Sequence, residues 1–130
     1  DVFTFSVHAE RNFPVRKARS SLDIALPDRT GDDAYLAELE RHFPALLDSF
    51  RPDLVLYQAG VDPHEDDRLG RLALSDAGLI ARDSYVVREA RRRGIPVASA
   101  LGGGYGEDAR AVAARHAASM IAMARTNAGC

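Results

Sequence analysis

Two short apolar runs, each emptying into a loop of unusual composition, constrain this chain more than anything else in it. Leu54-Val55-Leu56-Tyr57 reads as a buried strand that passes through Gln58-Ala59-Gly60 into a loop carrying Asp62, His64, Glu65, Asp66 and Asp67. Val97-Ala98-Ser99-Ala100-Leu101 has the same design and opens into Gly102-Gly103-Gly104-Tyr105. Short runs of this apolarity suit the strands of a parallel sheet, and in such sheets ligands bind just beyond the carboxyl ends of the strands. Asp62 follows one strand and Tyr105 the other, so both are expected side by side at the mouth of one sheet.

The remaining chain supplies elements for that sheet. Val2 to Val7 is a strand candidate whose nearly continuous apolarity suits cover on both faces, and Leu22-Asp23-Ile24-Ala25-Leu26 alternates as a strand with one wet face. After the turn chemistry of Pro27 to Gly31, Asp32 or Asp33 caps a helix with Tyr35, Leu36, Leu39 and Phe43 at helical spacing. Pro44 should kink or restart it, because an interior proline costs about 3 kcal/mol. A second helix begins at Ser75-Asp76, with Leu79, Ile80, Val86, Val87 and Ala90 inward and Arg82, Asp83, Arg88 and Arg91 outward. Arg91 to Arg93, Gly94 and Pro96 end it. A last helix is expected from Glu107 to Ala124, burying Val112, His116, Met120 and Ile121, with Thr126 to Cys130 as a frayed tail. Strands alternating with helices predict an α/β chain built on a parallel sheet, with no internal repeat and no domain boundary.

Composition narrows the function. One domain is expected from 130 residues. With 17 basic against 19 acidic residues there is no global field to gather nucleic acid or an anionic membrane, and small or neutral substrates fit better. The single cysteine, Cys130, leaves no internal disulfide and suits a reducing, cytoplasmic setting. The chain opens on strand-like residues without methionine or leader, as the middle of a longer protein would.

The loops admit plain readings as well as chemical ones. Three glycines can be a tight turn, or they can bring backbone close to a ligand while Tyr105 offers a phenol to a carbonyl or an oxyanion. An acidic loop can be solvated surface, with Asp66-Asp67-Arg68 a local ion pair, or Asp62 can reach a metal. Zinc normally takes three protein ligands, and no HxH, DxH or HExxH pattern accompanies Asp62.

In combination, Asp53 to Asp62, Asp67-Arg68-Leu69-Gly70 and Leu101-Gly102-Gly103-Gly104-Tyr105 closely resemble the C-terminal half of the histone deacetylase superfamily. The following Leu72 to Ser75 and the Gly31 to Leu36 segment resemble its bacterial class IV-like branch. The resemblance covers nearly the whole chain. It implies a three-layer arginase/deacetylase-like α/β fold with helices on both faces of a parallel sheet, of which residues 1–130 would be the C-terminal part of a single domain. It also implies a zinc-dependent amide hydrolase acting on acylated lysine or a small acylated amine. Asp62 would complete an Asp-His-Asp zinc site and Tyr105 would hydrogen-bond the acyl oxygen. Phe13 and Leu69 would line the acyl tunnel and Gly103 its end, although core packing explains the first two equally well. Ser6 and Val7 match residues that often hold a monovalent cation such as K⁺, or they are a plain strand end.

The family's Asp-x-His motif and histidine pair have no counterpart in this sequence. His42 reads as helix surface, His116 as a satisfied core histidine, and His64 as a solvated loop residue that alone among the four could approach a metal at Asp62. The chain by itself is therefore expected to be inactive. The rival expectation is a non-catalytic half-domain or degenerate deacetylase that assembles, with another copy or a partner, through an exposed sheet edge.

Overall fold

The computed structural model describes residues 1–129; Cys130 lies outside the described residues. Two parallel strand pairs form its sheets. β1 (Phe5–Ala9) pairs with β2 (Leu22–Leu26) in the register Phe5↔Leu22 to Ala9↔Leu26. β3 (Val55–Gly60) pairs with β4 (Val97–Gly102) in the register Val55↔Val97 to Gly60↔Gly102. Between and after them run α1 (Asp32–Phe50), α2 (Asp76–Arg92) and α3 (Ala109–Ala128). The four strands thus stand as two pairs rather than one sheet. β1 starts later than its apolar run suggests, because Val2 is solvent-exposed and has no strand partner.

Side-chain alternation on the strands decides where the core sits. Val55 and Tyr57 of β3 join Phe5, Val7 and Ile24 against a cluster formed by Tyr35, Leu39, Phe43 and Leu47 of α1 and Val86 of α2. Ala59 packs with Val87 of α2 and Met123 of α3. All three helices therefore gather on this side of β3. The opposite side is bare, and Leu56 is 78% exposed. Cover on both faces is not supplied within the described residues.

α1 is one uninterrupted helix, and Pro44 neither kinks it into two nor restarts it. Leu39, Phe43 and Leu47 are buried on either side of the proline, each contributing roughly 1.5–3 kcal/mol, which outweighs the single hydrogen bond that proline removes. Neither acidic residue caps this helix, whose N-cap is Gly31. The Asp32 carboxylate instead accepts hydrogen bonds from the Ser75 backbone N–H (2.8 Å) and hydroxyl (2.6 Å). Ser75 caps α2 in turn, its oxygen accepting from Gly78 N–H at 3.0 Å, so the starts of the two helices are tied together.

Arg82 and Asp83 point inward, contrary to their charge. α2 is packed by α1 on one flank and α3 on the other, so more than one stripe of it is buried. The Asp83 carboxylate is fully engaged, whereas the buried Arg82 Nη2 has no hydrogen-bond partner among the described residues. Arg82 Nε donates to Asp83 Oδ1 at 2.8 Å, the Tyr57 hydroxyl donates to the same oxygen at 2.5 Å, and the Ser119 hydroxyl donates to Oδ2. α3 also differs from the expected stripe. Ser119 and Met123 are its buried residues, while Met120 and Ile121 are exposed. In an alanine-rich helix the apolar periodicity is weak, and the small Ser119 wins the inward position because it supplies a donor to Asp83. Asp108 caps this helix and Gly129, at φ +84°, ends it, so residues 126–128 are helical rather than frayed.

Candidate active site

The carboxyl ends of β3 and β4 lie side by side, Gly60 opposite Gly102, and the ladder continues one step further as Val61 N–H donates to Gly102 O at 3.1 Å. Asp62 follows immediately on one strand and the Gly103-Gly104-Tyr105 loop on the other. Gly103 sits at φ +62°, and a methyl group there would overlap the Asp62 carboxylate. Glycine is required both by the backbone angle and by the carboxylate resting against it. Gly70 is required by contact alone, since a side chain would collide with the Asp62 carbonyl. Burial pushes the Asp62 carboxyl up from its ordinary pKa, its own backbone opposes this, and Asp67 adds to the rise.

The residue that joins the two loops is Asp67. Its Oδ1 accepts from Leu69 N–H (2.9 Å) and Gly70 N–H (2.7 Å), while its Oδ2 accepts from Tyr105 N–H (2.8 Å). One carboxylate thereby fixes the bend after Asp62 and the start of the tyrosine loop. It is not a local ion pair with Arg68. The signal for it was an aspartate two and three residues before Leu69-Gly70, the spacing at which a carboxylate accepts from the backbone ahead of it. Tyr105 is 52% exposed at this mouth.

In the rest of the acidic loop Glu65 and Asp66 are solvent-exposed, but His64 is docked. His64 is only 4% exposed. Its Nδ1 accepts from Asp66 N–H at 3.0 Å and its Nε2 lies 3.2 Å from Asp76 Oδ1. Arg115 of α3 clamps the same cluster, with Nη2 3.0 Å from Asp66 and Nε 2.9 Å from Asp76. Both ring nitrogens of His64 are thus engaged away from Asp62, which removes it as a metal partner. His42 is half-buried beside Glu38, at 3.1 Å. His116 reaches beneath the glycine loop toward Gly104, and its buried Nδ1 has no hydrogen-bond partner, so it is not the satisfied core histidine its position in the helix suggests.

Phe13 and Leu69 are 90% and 62% exposed, so core packing does not account for either. Ser6 and Val7 lie within β1, where the Ser6 hydroxyl is hydrogen-bonded to His8 Nδ1 at 2.8 Å. No three His, Cys, Asp or Glu side chains converge on a metal-sized space among the described residues. The residues present therefore do not by themselves fit a zinc centre. They offer it one carboxylate, Asp62.

The model of the histone deacetylase domain matches residues 1–121. The chain belongs to the histone deacetylase family. An uncharacterized protein of the cyanobacterium Picosynechococcus is 48% identical over 115 residues, 88% of this chain and 38% of that protein. Histone deacetylase 2 of Arabidopsis thaliana is 36% identical over 91 residues, 68% of this chain and 24% of that protein. The crystal structure of an HDAC homologue complexed with SAHA superposes with a TM-score of 0.73 at 26% identity, covering 95% of this chain and 35% of the other. The chain thus has the arginase/deacetylase α/β fold as a partial domain, and it spans little more than a third of the length of the Picosynechococcus relative.

Proposed function

We propose that residues 1–130 are the C-terminal part of one deacetylase domain that hydrolyses acyl amides, on acylated lysine or a small acylated amine, and that its zinc site is completed by ligands the described residues do not supply. The observation that carries this reading is the Asp67 staple. By accepting from the backbone on both loops, it ties together the two loops that carry Asp62 and Tyr105, which supports their acting at one mouth. In this reading Asp62 is the carboxylate that faces the metal. Tyr105 donates its phenolic proton's hydrogen bond to the acyl oxygen and holds it as negative charge develops there. Exposed Phe13 and Leu69 flank the slender acyl chain, and Gly103 leaves room at its end. A K⁺ ion at Ser6 and Val7 would have to share the Ser6 hydroxyl with His8.

The test is hydrolysis of an acetyl-lysine peptide by this chain combined with the portion of the Picosynechococcus relative that it does not match. Turnover is expected from the combination and not from this chain alone. Tyr105→Phe is expected to lower kcat about 10²–10³-fold. Unchanged turnover in that variant would remove Tyr105 from the reaction. The second reading, an assembly module without catalysis, is favoured by one observation, that no three His, Cys, Asp or Glu side chains among the described residues converge to hold a metal. It predicts a complex that forms without turnover.

A further inference from the structure

The loop that joins β1 to β2, residues 10–21, has a composition unlike the rest of the chain. It carries Arg11, Arg16, Lys17 and Arg19 against one acid, Glu10, in a protein whose net charge is -2. Between the first two cations lie Phe13, Pro14 and Val15, and Phe13 and Val15 are 90% and 93% exposed. Neighbouring apolar side chains held this far out of the surface and rimmed by charge have the make-up of a contact site.

The loop is held in one path. The Lys17 ammonium donates to three of its carbonyls, Glu10 O at 2.8 Å, Asn12 O at 2.5 Å and Pro14 O at 3.1 Å, so this charge is spent inside the loop. Arg19 is partly answered as well, since the Asp23 carboxyl is held below its ordinary pKa first by the Ser20 N–H it accepts from and, to a smaller degree, by Arg19. Arg11 and Arg16 differ. Both are exposed, and neither belongs to an ion pair among the described residues. The loop opens at the same end of the molecule as Asp62. β1 runs parallel to β2, and the turn after β2 is bonded to the segment after Gly70, with Arg29 N–H donating to Arg71 O at 2.7 Å and Ala73 N–H to Thr30 O at 2.9 Å. On the loop after β3, Asp66 is paired with Arg115, and the exposed charges of Glu65 and Arg68 cancel. The surplus at this end is therefore the one that Arg11 and Arg16 supply.

We propose that the β1–β2 loop selects the acylated substrate by charge, taking an acyl-lysine whose neighbours in sequence are aspartate or glutamate and rejecting acylated polyamines and acyl-lysines in basic segments. The proposal rests on the deacetylase reading, in which Phe13 flanks the acyl chain. Arg11 and Arg16 stand two residues before Phe13 and three after it, where carboxylates on either side of that lysine arrive. A guanidinium pairs a carboxylate through two parallel N–H···O bonds. Free cations at the rim of a site also speed the arrival of an oppositely charged ligand and turn away a like-charged one. The net charge of the whole chain hides this local field.

The experiment is fluorescence anisotropy of labelled peptides with aspartate, serine or lysine on both sides of an acetyl-lysine, titrated with this chain combined with the unmatched portion of the Picosynechococcus relative. At low salt the aspartate peptide is expected to bind about 10-fold tighter than the serine peptide, and the lysine peptide about 10-fold weaker. The differences should collapse at about 1 M salt, where charges are screened beyond about 3 Å. In the variant carrying Arg11→Glu and Arg16→Glu the order should invert, a gain of affinity for the lysine peptide that misfolding does not produce. Equal affinity for the three peptides would overturn the proposal, as would no binding of any of them, an unchanged order in the variant, or equal binding of the aspartate peptide without its acetyl group. Loss of the complex itself in the variant would assign the two arginines to the rest of the domain and overturn it too. Binding is read without turnover, so charge selection in an inactive complex would count against the catalytic reading only.

Discussion

At the scale of single residues, the two strand-end loops are held together by Asp67, which accepts from Leu69, Gly70 and Tyr105 N–H. Asp67→Ala removes an acceptor shared by three backbone donors, and should cost about 1–3 kcal/mol of stability. Thermal unfolding measures this, and a Tm within a degree of wild type would mean that the loops are held otherwise. The Tyr57 phenol makes a prediction of opposite chemistry. Burial pushes its pKa well above the ordinary 10.0, so the folded chain holds this proton more tightly than the unfolded one. The resulting stability is full below pH 10 and is lost as pH rises beyond it. Alkaline unfolding by circular dichroism should begin above pH 10 and be less steep in Tyr57→Phe. Asp62 and the glycine loop were legible because strand-end chemistry leaves a local signature. The local bonds of Asp67 to Leu69 and Gly70 were legible in spacing, but its bond to Tyr105 N–H and the docking of His64 on Asp76 were not, since those partners lie beyond the loop.

At the scale of elements, hydrophobic periodicity located every strand and helix, but it failed wherever a helix had two neighbours. α2 buries Arg82 and Asp83 because α1 and α3 enclose it, and no pattern on α2 alone records that. Removing one member of this pair leaves a buried charge uncompensated, so Asp83→Ala is expected to destabilise by about 3–5 kcal/mol, read as a shift of the urea midpoint. A loss below 1 kcal/mol would mean that Arg82 finds water instead. The continuity of α1 through Pro44 gives a prediction of the other sign. Pro44→Ala restores a hydrogen bond to a helix already held by Leu39, Phe43 and Leu47, and should raise stability by up to about 3 kcal/mol. A decrease would show that the proline relieves strain in the packing.

At the scale of the whole molecule, the two separate strand pairs, the bare Leu56 side of β3 and the lack of three converging metal-competent side chains among the described residues all accord with the proposal that the chain is part of a larger deacetylase domain. The fold class was readable from alternating strands and helices, whereas the separation into two strand pairs was not, because a sequence says which residues are strand-like and not which strands pair. The most direct test of this account is zinc stoichiometry of the 130-residue chain, of the unmatched portion of the Picosynechococcus relative, and of their complex, each with and without Asp62→Ala. The account predicts one tightly held zinc per complex, lost in Asp62→Ala, and none held by this chain alone. Stoichiometric zinc in the chain alone, or a complex that retains its zinc without Asp62, would contradict it.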